Sequence, residues 1–122
     1  MITDIAFTVY PSNDVAKLTG FYTGVLGLKM TNKVEEEGQL QYAEFTVGSG
    51  YFGLMTAQWM DRDAGSASGI GFEVDDLTAW LRTLADKGVK TGDPYDTPVC
   101  RIASIEDPEG NKITFHQTTV PH

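Results

Sequence analysis

Side chains that can do chemistry are few in this sequence, and most of them sit on segments that alternate like strands. His116 is the only histidine inside a predicted element, since His122 stands at the C-terminal end. Imidazole titrates near neutral pH, so His116 can serve as a general acid or base; it can equally be a strand-end histidine open to water or bonded to Glu44. Glu44 can orient His116, receive a cationic group, act as a base, or stand as a solvated charge. Arg101 offers a planar fork to a carboxylate or phosphate, or pairs structurally with Glu44 or Glu106. Tyr42, Tyr51 and Trp59 can stack on a planar or cationic ligand. Aromatics on strands more commonly fill a core, but Trp59 falls in a linker. Cys100, the sole cysteine, has no adjacent histidine, which favours a small buried residue over a nucleophile. No Gly-rich phosphate loop, HExxH, CxxC or nucleophile elbow occurs.

The elements that position these residues come in two similar runs. Ile5, Phe7 and Val9 alternate as in a half-buried strand, which Pro11 is expected to end. Ser12, Asn13 and Asp14 are all good N-caps, Val15, Leu18, Tyr22 and Val25 follow at helical spacing, and Gly27 suits a left-handed cap. Leu28 to Val34, Gln41 to Val47 and Tyr51 to Thr56 read as three further strands, the first two joined by an acidic turn at Glu35 to Gly38. After an aperiodic stretch from Ala57 to Ser68, Ile70, Phe72 and Val74 repeat the opening alternation. A helix capped by Asp75 or Asp76 then carries Leu77, Trp80, Leu81 and Leu84 and ends at Gly88. Val89-Lys90 is expected to start a short strand, followed by a loop from Thr91 to Pro98. Cys100 to Glu106 and Lys112 to Gln117 form the final pair, joined by Asp107-Pro108-Glu109-Gly110-Asn111, which has the chemistry of a tight turn. Strand, helix and three strands, twice, is the mark of an internal duplication.

At 122 residues the chain is long enough for one core and too short for two independent ones. The formal net charge of −8 argues against nucleic acid, whose phosphates need concentrated Lys and Arg, and would draw cationic ligands by long-range attraction. No apolar run approaches a membrane span. MITDIAFTVY has no basic n-region, and a lone thiol excludes an intrachain disulfide, so the expected setting is the cytoplasm.

FYTGVLGL, GIGFEVDDL and DPEGNKITFHQ together resemble the vicinal oxygen chelate superfamily, which includes glyoxalase I, bleomycin-resistance proteins, fosfomycin-resistance transferases and extradiol dioxygenases. The resemblance covers essentially the whole chain. It implies an α+β fold of two βαβββ modules curling into a cupped, incomplete barrel, commonly as a homodimer. The whole chain is then one such domain, with module one at about 1–57, a linker at about 58–68 and module two at about 69–118. In metal-using members the ligands come from the first and last strands of each module. Here those positions hold Asp4 or Ala6, Gly69 or Gly71, and Thr114, and YFGLMT offers no carboxylate. Glycine has no side-chain donor and threonine is a poor ligand for such ions. The expectation is a protein without the family metal or any other cofactor, although Asp4, Glu44, Glu73 and His116 form an alternative donor set.

If Ile5, Phe7 and Val9 face the helices, Asp4, Ala6 and Thr8 face the concave side, joined there by Tyr42, Glu44, Thr46, Gly69, Gly71, Glu73, Lys112, Thr114 and His116. The expected function is binding of a small organic molecule in this cup, with Tyr42, Trp59, Glu73, Arg101 and Thr114 as ligand contacts. The alternative is a glyoxalase-like lyase or isomerase, or a dioxygenase-related enzyme, with an atypical or absent metal, using His116 and Glu44 as catalytic residues.

Overall fold

Three helices and eight strands arise from residues 1–120, which the computed structural model describes; His122 lies outside the described residues. The chain divides into two compact units, residues 1–67 and 68–122.

The first unit contains β1 (Thr8–Ser12), α1 (Val15–Gly24), β2 (Lys29–Glu36), β3 (Gln39–Val47), β4 (Gly50–Thr56) and a short α2 (Ala57–Met60). Its sheet has the order β1-β4-β3-β2, with β1 parallel to β4 and the other pairs antiparallel. Asp14 caps α1 by accepting the Lys17 N–H at 3.1 Å, which satisfies one of the orphan donors of the first turn. At the far end Gly27, with φ +76°, turns the chain so that the Leu28 N–H reaches the Tyr22 carbonyl at 2.9 Å. The helix buries Val15, Leu18 and Tyr22, and the Tyr22 ring meets Phe52 at 5.2 Å and Phe45 at 6.1 Å. This aromatic cluster is the core of the unit, and it fixes which face of β3 and β4 is buried.

The opening strand departs from expectation. The alternation of Ile5, Phe7 and Val9 predicts that these residues face the helices, yet Ile5 is 83% and Phe7 55% exposed, and pairing with β4 begins only at Thr8. The register sets Thr8 opposite Phe52 and Tyr10 opposite Leu54, so Thr8, Tyr10 and Ser12 take the helix side. Thr8 therefore lies on the buried side of the sheet, opposite to its expected face. Tyr10 packs edge-on against Phe52 at 5.2 Å. Pro11 does not end the strand but lies within it, which an edge strand tolerates because one side of its ladder is unpaired.

The second unit contains β5 (Ile70–Glu73), α3 (Leu77–Asp86), β6 (Tyr95–Asp96), β7 (Cys100–Glu106) and β8 (Lys112–Thr118), in sheet order β5-β8-β7-β6. Asp76, rather than Asp75, caps α3 through the Ala79 N–H at 3.0 Å. Leu77, Leu81 and Leu84 bury the apolar stripe, and Phe115 sits between Phe72 at 6.3 Å and the edge-on Trp80 at 5.6 Å. Val89-Lys90 forms no strand. The Val89 N–H closes the end of α3 on the Leu84 carbonyl at 3.0 Å, and the short strand falls later, at Tyr95–Asp96.

The turn between β7 and β8 is as its residues demand. Gly110 takes φ +92°, and the buried Asp107 carboxylate accepts the Glu109 N–H, the Asn111 N–H and the Asn111 amide at 2.8 to 3.0 Å. With Asn111 fully buried, this network locks the register of β7 against β8 and thereby the positions of Thr114 and His116.

Candidate functional site

The phase of each strand in the second unit follows from its core residues. Ile113 and Phe115 on β8, Ala103 and Ile105 on β7 and Phe72 on β5 face α3, so Thr114 and His116, Ile102 and Ser104, and Gly71 and Glu73 occupy the open face. The ladders arrange these side chains in rows. One row runs Glu73, His116, Ile102, Tyr95 across all four strands, and the next runs Gly71, Thr114, Ser104.

His116 and Glu73 are bonded. His116 Nδ1 lies 2.6 Å from Glu73 Oε1, while Glu73 Oε2 accepts the Thr118 backbone N–H at 2.8 Å. The Thr118 N–H, and after it the His116 imidazole, hold the Glu73 carboxyl below the usual carboxylate range. An ionised carboxylate can only accept, so His116 donates to Glu73 from Nδ1. Among the described residues Nε2 has no partner. In the neighbouring row, Thr114 Oγ1 lies 3.2 Å from Ser104 Oγ, and a Cβ built at Gly71 or Gly69 would meet nothing within 4 Å. The open face thus lacks a side chain at Gly71, one row away from a fixed histidine.

Because the folded-state pKa of Glu73 is depressed, its stabilising effect is present above the unfolded value of about 4.5 and is lost as the pH falls through the folded value. The melting temperatures of wild type and Glu73→Gln should therefore separate above about pH 4.5, wild type being the more stable, and converge in more acidic solution. An offset that does not vary with pH would contradict this origin.

Arg101 stands on the other side of the same sheet. Its register partner is Gln117, whose Oε1 accepts the Leu77 N–H at 2.8 Å at the start of α3. The Arg101 guanidinium binds Asp96 at 2.8 Å and Thr78 at 2.9 Å, so its structural partner is Asp96 and not Glu44 or Glu106. Cys100 is buried, its Sγ 3.1 Å from Thr97 Oγ1.

In the first unit, Tyr42, Glu44 and Thr46 face away from α1, opposite Met55, Gly53 and Tyr51 on β4. The Tyr42 hydroxyl donates to Glu44 Oε2 at 2.5 Å, and burial, then the Glu44 hydrogen bond and charge, push the Tyr42 phenol well above its ordinary pKa. Tyr42 is accordingly a neutral donor that holds Glu44. The Tyr42 ring lies over Gly53, where a Cβ would approach its Cε1 and hydroxyl to 2.9 Å. Glu44 is thus engaged by Tyr42, and the carboxylate bonded to His116 is Glu73. Trp59, on α2, is 45% exposed. A polar cleft of about 560 Å³ at this end of the unit is lined by Asn13, Gln58, Asp61, Arg62 and Asp63.

Sequence reading overlooked Ser104, Ile102 and Tyr95 as members of the open face. The phase of Ala103 and Ile105 would have revealed the first two, and would also have placed Arg101 on the helix side.

A family model described as the Glyoxalase/Bleomycin resistance protein/Dioxygenase superfamily matches residues 4–115. The chain belongs to that superfamily. Its fold is shared with TnmS3, an antibiotic binding protein from Streptomyces sp. CB03234, at TM-score 0.82 and 24% identity over 97% of this chain and 98% of that one. A glyoxalase/bleomycin resistance protein from the same Streptomyces aligns at TM-score 0.77 and 25% identity, over 93% of this chain and all of that one. Lactoylglutathione lyase from Agrobacterium tumefaciens aligns at TM-score 0.78 and 21% identity, over 96% and 95%. No curated protein matches the chain in sequence. At the second-unit positions where the resemblance expects metal ligands, the side chains offer little to an ion. Gly71 and Thr114 are register partners on the open face, one without a donor atom and the other bonded to Ser104. Within either unit, among the described residues, no three His, Cys, Asp or Glu side chains converge. No described helix is long and apolar enough to cross a membrane.

Proposed function

We propose that this superfamily member binds a small organic molecule on the open face of its second sheet and does so without the superfamily's metal. The observation that carries the reading is the open floor at Gly69 and Gly71, where metal-using relatives would present donors, bordered by Thr114, Ser104, His116 and Glu73. Such a surface offers apolar contact and a few placed polar groups, which is how small-molecule sites are built. An antibiotic binding protein among the structural neighbours supports the same reading. In the first unit, taken by itself, Tyr42, Glu44 and Trp59 are proposed as ligand contacts of their own, and in the second unit Arg101 becomes a contact only if it leaves Asp96. The homodimer and the cytoplasmic setting belong to this proposal as well, the single cysteine being compatible with a reducing compartment.

The test is thermal unfolding of chelator-treated protein against a panel of aromatic and cationic antibiotics, metal-free bleomycin among them. A ligand that prefers the folded state raises the melting temperature, by about 2.7 kcal/mol of stability at a hundred times its Kd. A panel without any shift would count against the reading. The bonded His116 and Glu73 favour one alternative, a glyoxalase-like lyase or isomerase that needs no metal; conversion of an α-oxoaldehyde hemithioacetal to its isomeric α-hydroxythioester, lost in a folded His116→Ala, would establish it.

A further inference from the structure

From the rows of side chains on the second sheet we infer that the ligand is a flat aromatic molecule, that it lies in a trough floored by Gly71, Thr114 and Ser104, and that Tyr95 selects it by stacking. This inference deepens the small-molecule reading and rests on it.

The trough follows from the register. Glu73, His116, Ile102 and Tyr95 make one row of larger side chains across four strands, and Lys112 with Glu106 make another, on the far side of the low row of Gly71, Thr114 and Ser104. Each wall stands two residues along the strands from the floor, or about 7 Å. Gly92, whose N–H donates to the Ser104 carbonyl at 3.0 Å, prolongs the low row past Ser104. Four chain segments at a spacing of about 4.8 Å give a floor about 14 Å long. A space that long and narrow suits fused or linked flat rings and not a globular skeleton.

Tyr95 stands at one end of it. Arg101 binds Asp96 at 2.8 Å and Thr78 of α3 at 2.9 Å, which holds Asp96 on the helix side, and alternation then sets Tyr95 on the open side. The Tyr95 ring is 66% exposed and takes no part in the ring contacts of the second unit. Opposite Ile102, an aromatic side chain reaches its diagonal neighbour Ser104, which brings the ring beside the floor. An uncovered ring face there favours another flat π-system, because ring pairs attract beyond the area that they cover. Ser104 and Thr114 hydroxyls can each donate and accept, so they suit a hydroxyl or carbonyl on the same molecule. The strand that carries Tyr95 is only two residues long, and the bonds of Arg101 tie it to β7 and α3. Tyr95 touches the ligand; Asp96 acts through it as a positioning residue.

2-Naphthalenemethanol is the flat probe, and 1-adamantanemethanol, a neutral primary alcohol with the same number of carbons, is the globular one; calorimetry reads both. Wild-type protein should bind the flat probe about tenfold more tightly than the globular one. Tyr95→Ala should remove that preference by weakening the flat probe alone, and Tyr95→Phe, which keeps the ring, should retain it. Asp96→Ala should reduce the preference while keeping the wild-type circular dichroism spectrum, and Asp96→Asn, whose amide oxygen still accepts from Arg101, should restore it. Equal wild-type affinity for the two probes, or a preference that survives in Tyr95→Ala, overturns the inference. A preference intact in Asp96→Ala overturns the positioning role of Asp96. Wild-type protein that binds neither probe also overturns the inference, and the antibiotic panel decides separately whether small-molecule binding stands.

Discussion

Truncating Phe115 to alanine should lower the free energy of unfolding by about 3–5 kcal/mol. Phe115 is 1% exposed, with Phe72 stacked on one side and Trp80 edge-on on the other. It lies on β8, which pairs with both β5 and β7, so the cavity would open where the second sheet can collapse least. The loss includes the transfer of a phenyl group, the cavity left behind and the two ring contacts. Domains of this size have about 5–15 kcal/mol in total, so the variant would be close to unfolding at 37 °C. Phe115 also stands between Thr114 and His116 in sequence, and its seating against α3 directs both of them to the open face. Urea unfolding measures the effect; a loss under about 1 kcal/mol would mean that the cluster is not the centre of this core.

Filling the floor of the open face should have the opposite profile. At Gly71 a Cβ meets nothing within 4 Å and the backbone does not take a positive φ, so Gly71→Leu starts its side chain without backbone strain. Replacing glycine within a strand also removes unfolded-state freedom, and stability should stay level or rise by a few tenths of a kcal/mol. Ligand affinity should fall about a hundredfold or more, because the leucine occupies the volume over Thr114 and beside His116. That corresponds to about 2.7 kcal/mol of binding free energy. Unchanged affinity in a folded Gly71→Leu would move the ligand away from this face. A drop in stability equal to the drop in affinity would instead indicate a distorted sheet.

Local chemistry was the legible part of the sequence. Asp107 to Asn111 announced its turn because proline and glycine sit at positions with defined φ, and Asp76 and Gly88 marked the ends of α3 by capping rules. Ala43 with Phe45, and Ile113 with Phe115, gave the correct strand phase because each face meets a packed helix. What failed depended on distant partners. Ile5, Phe7 and Val9 alternate convincingly, but β4 pairs only from Thr8 onward, and that register puts Tyr10 and Ser12 in the core. The partner of His116 was missed for a similar reason, since the bond to Glu73 spans 43 residues and comes from the parallel pairing of β5 with β8. Aligning Phe72 with Phe115 sets Glu73 opposite His116, so the signal was present once the two strands were paired.

Calorimetric titration of chelator-treated protein with an antibiotic from the panel, repeated after adding one equivalent of Zn(II), Ni(II), Mn(II) or Fe(II), decides whether the ligand needs a metal. Saturable binding is expected without metal, at an affinity none of the four ions changes, with no tight stoichiometric uptake of the ions alone. Binding that appears only after an ion is added, or tight uptake of one ion per chain, would contradict it and place the superfamily's metal chemistry at this site.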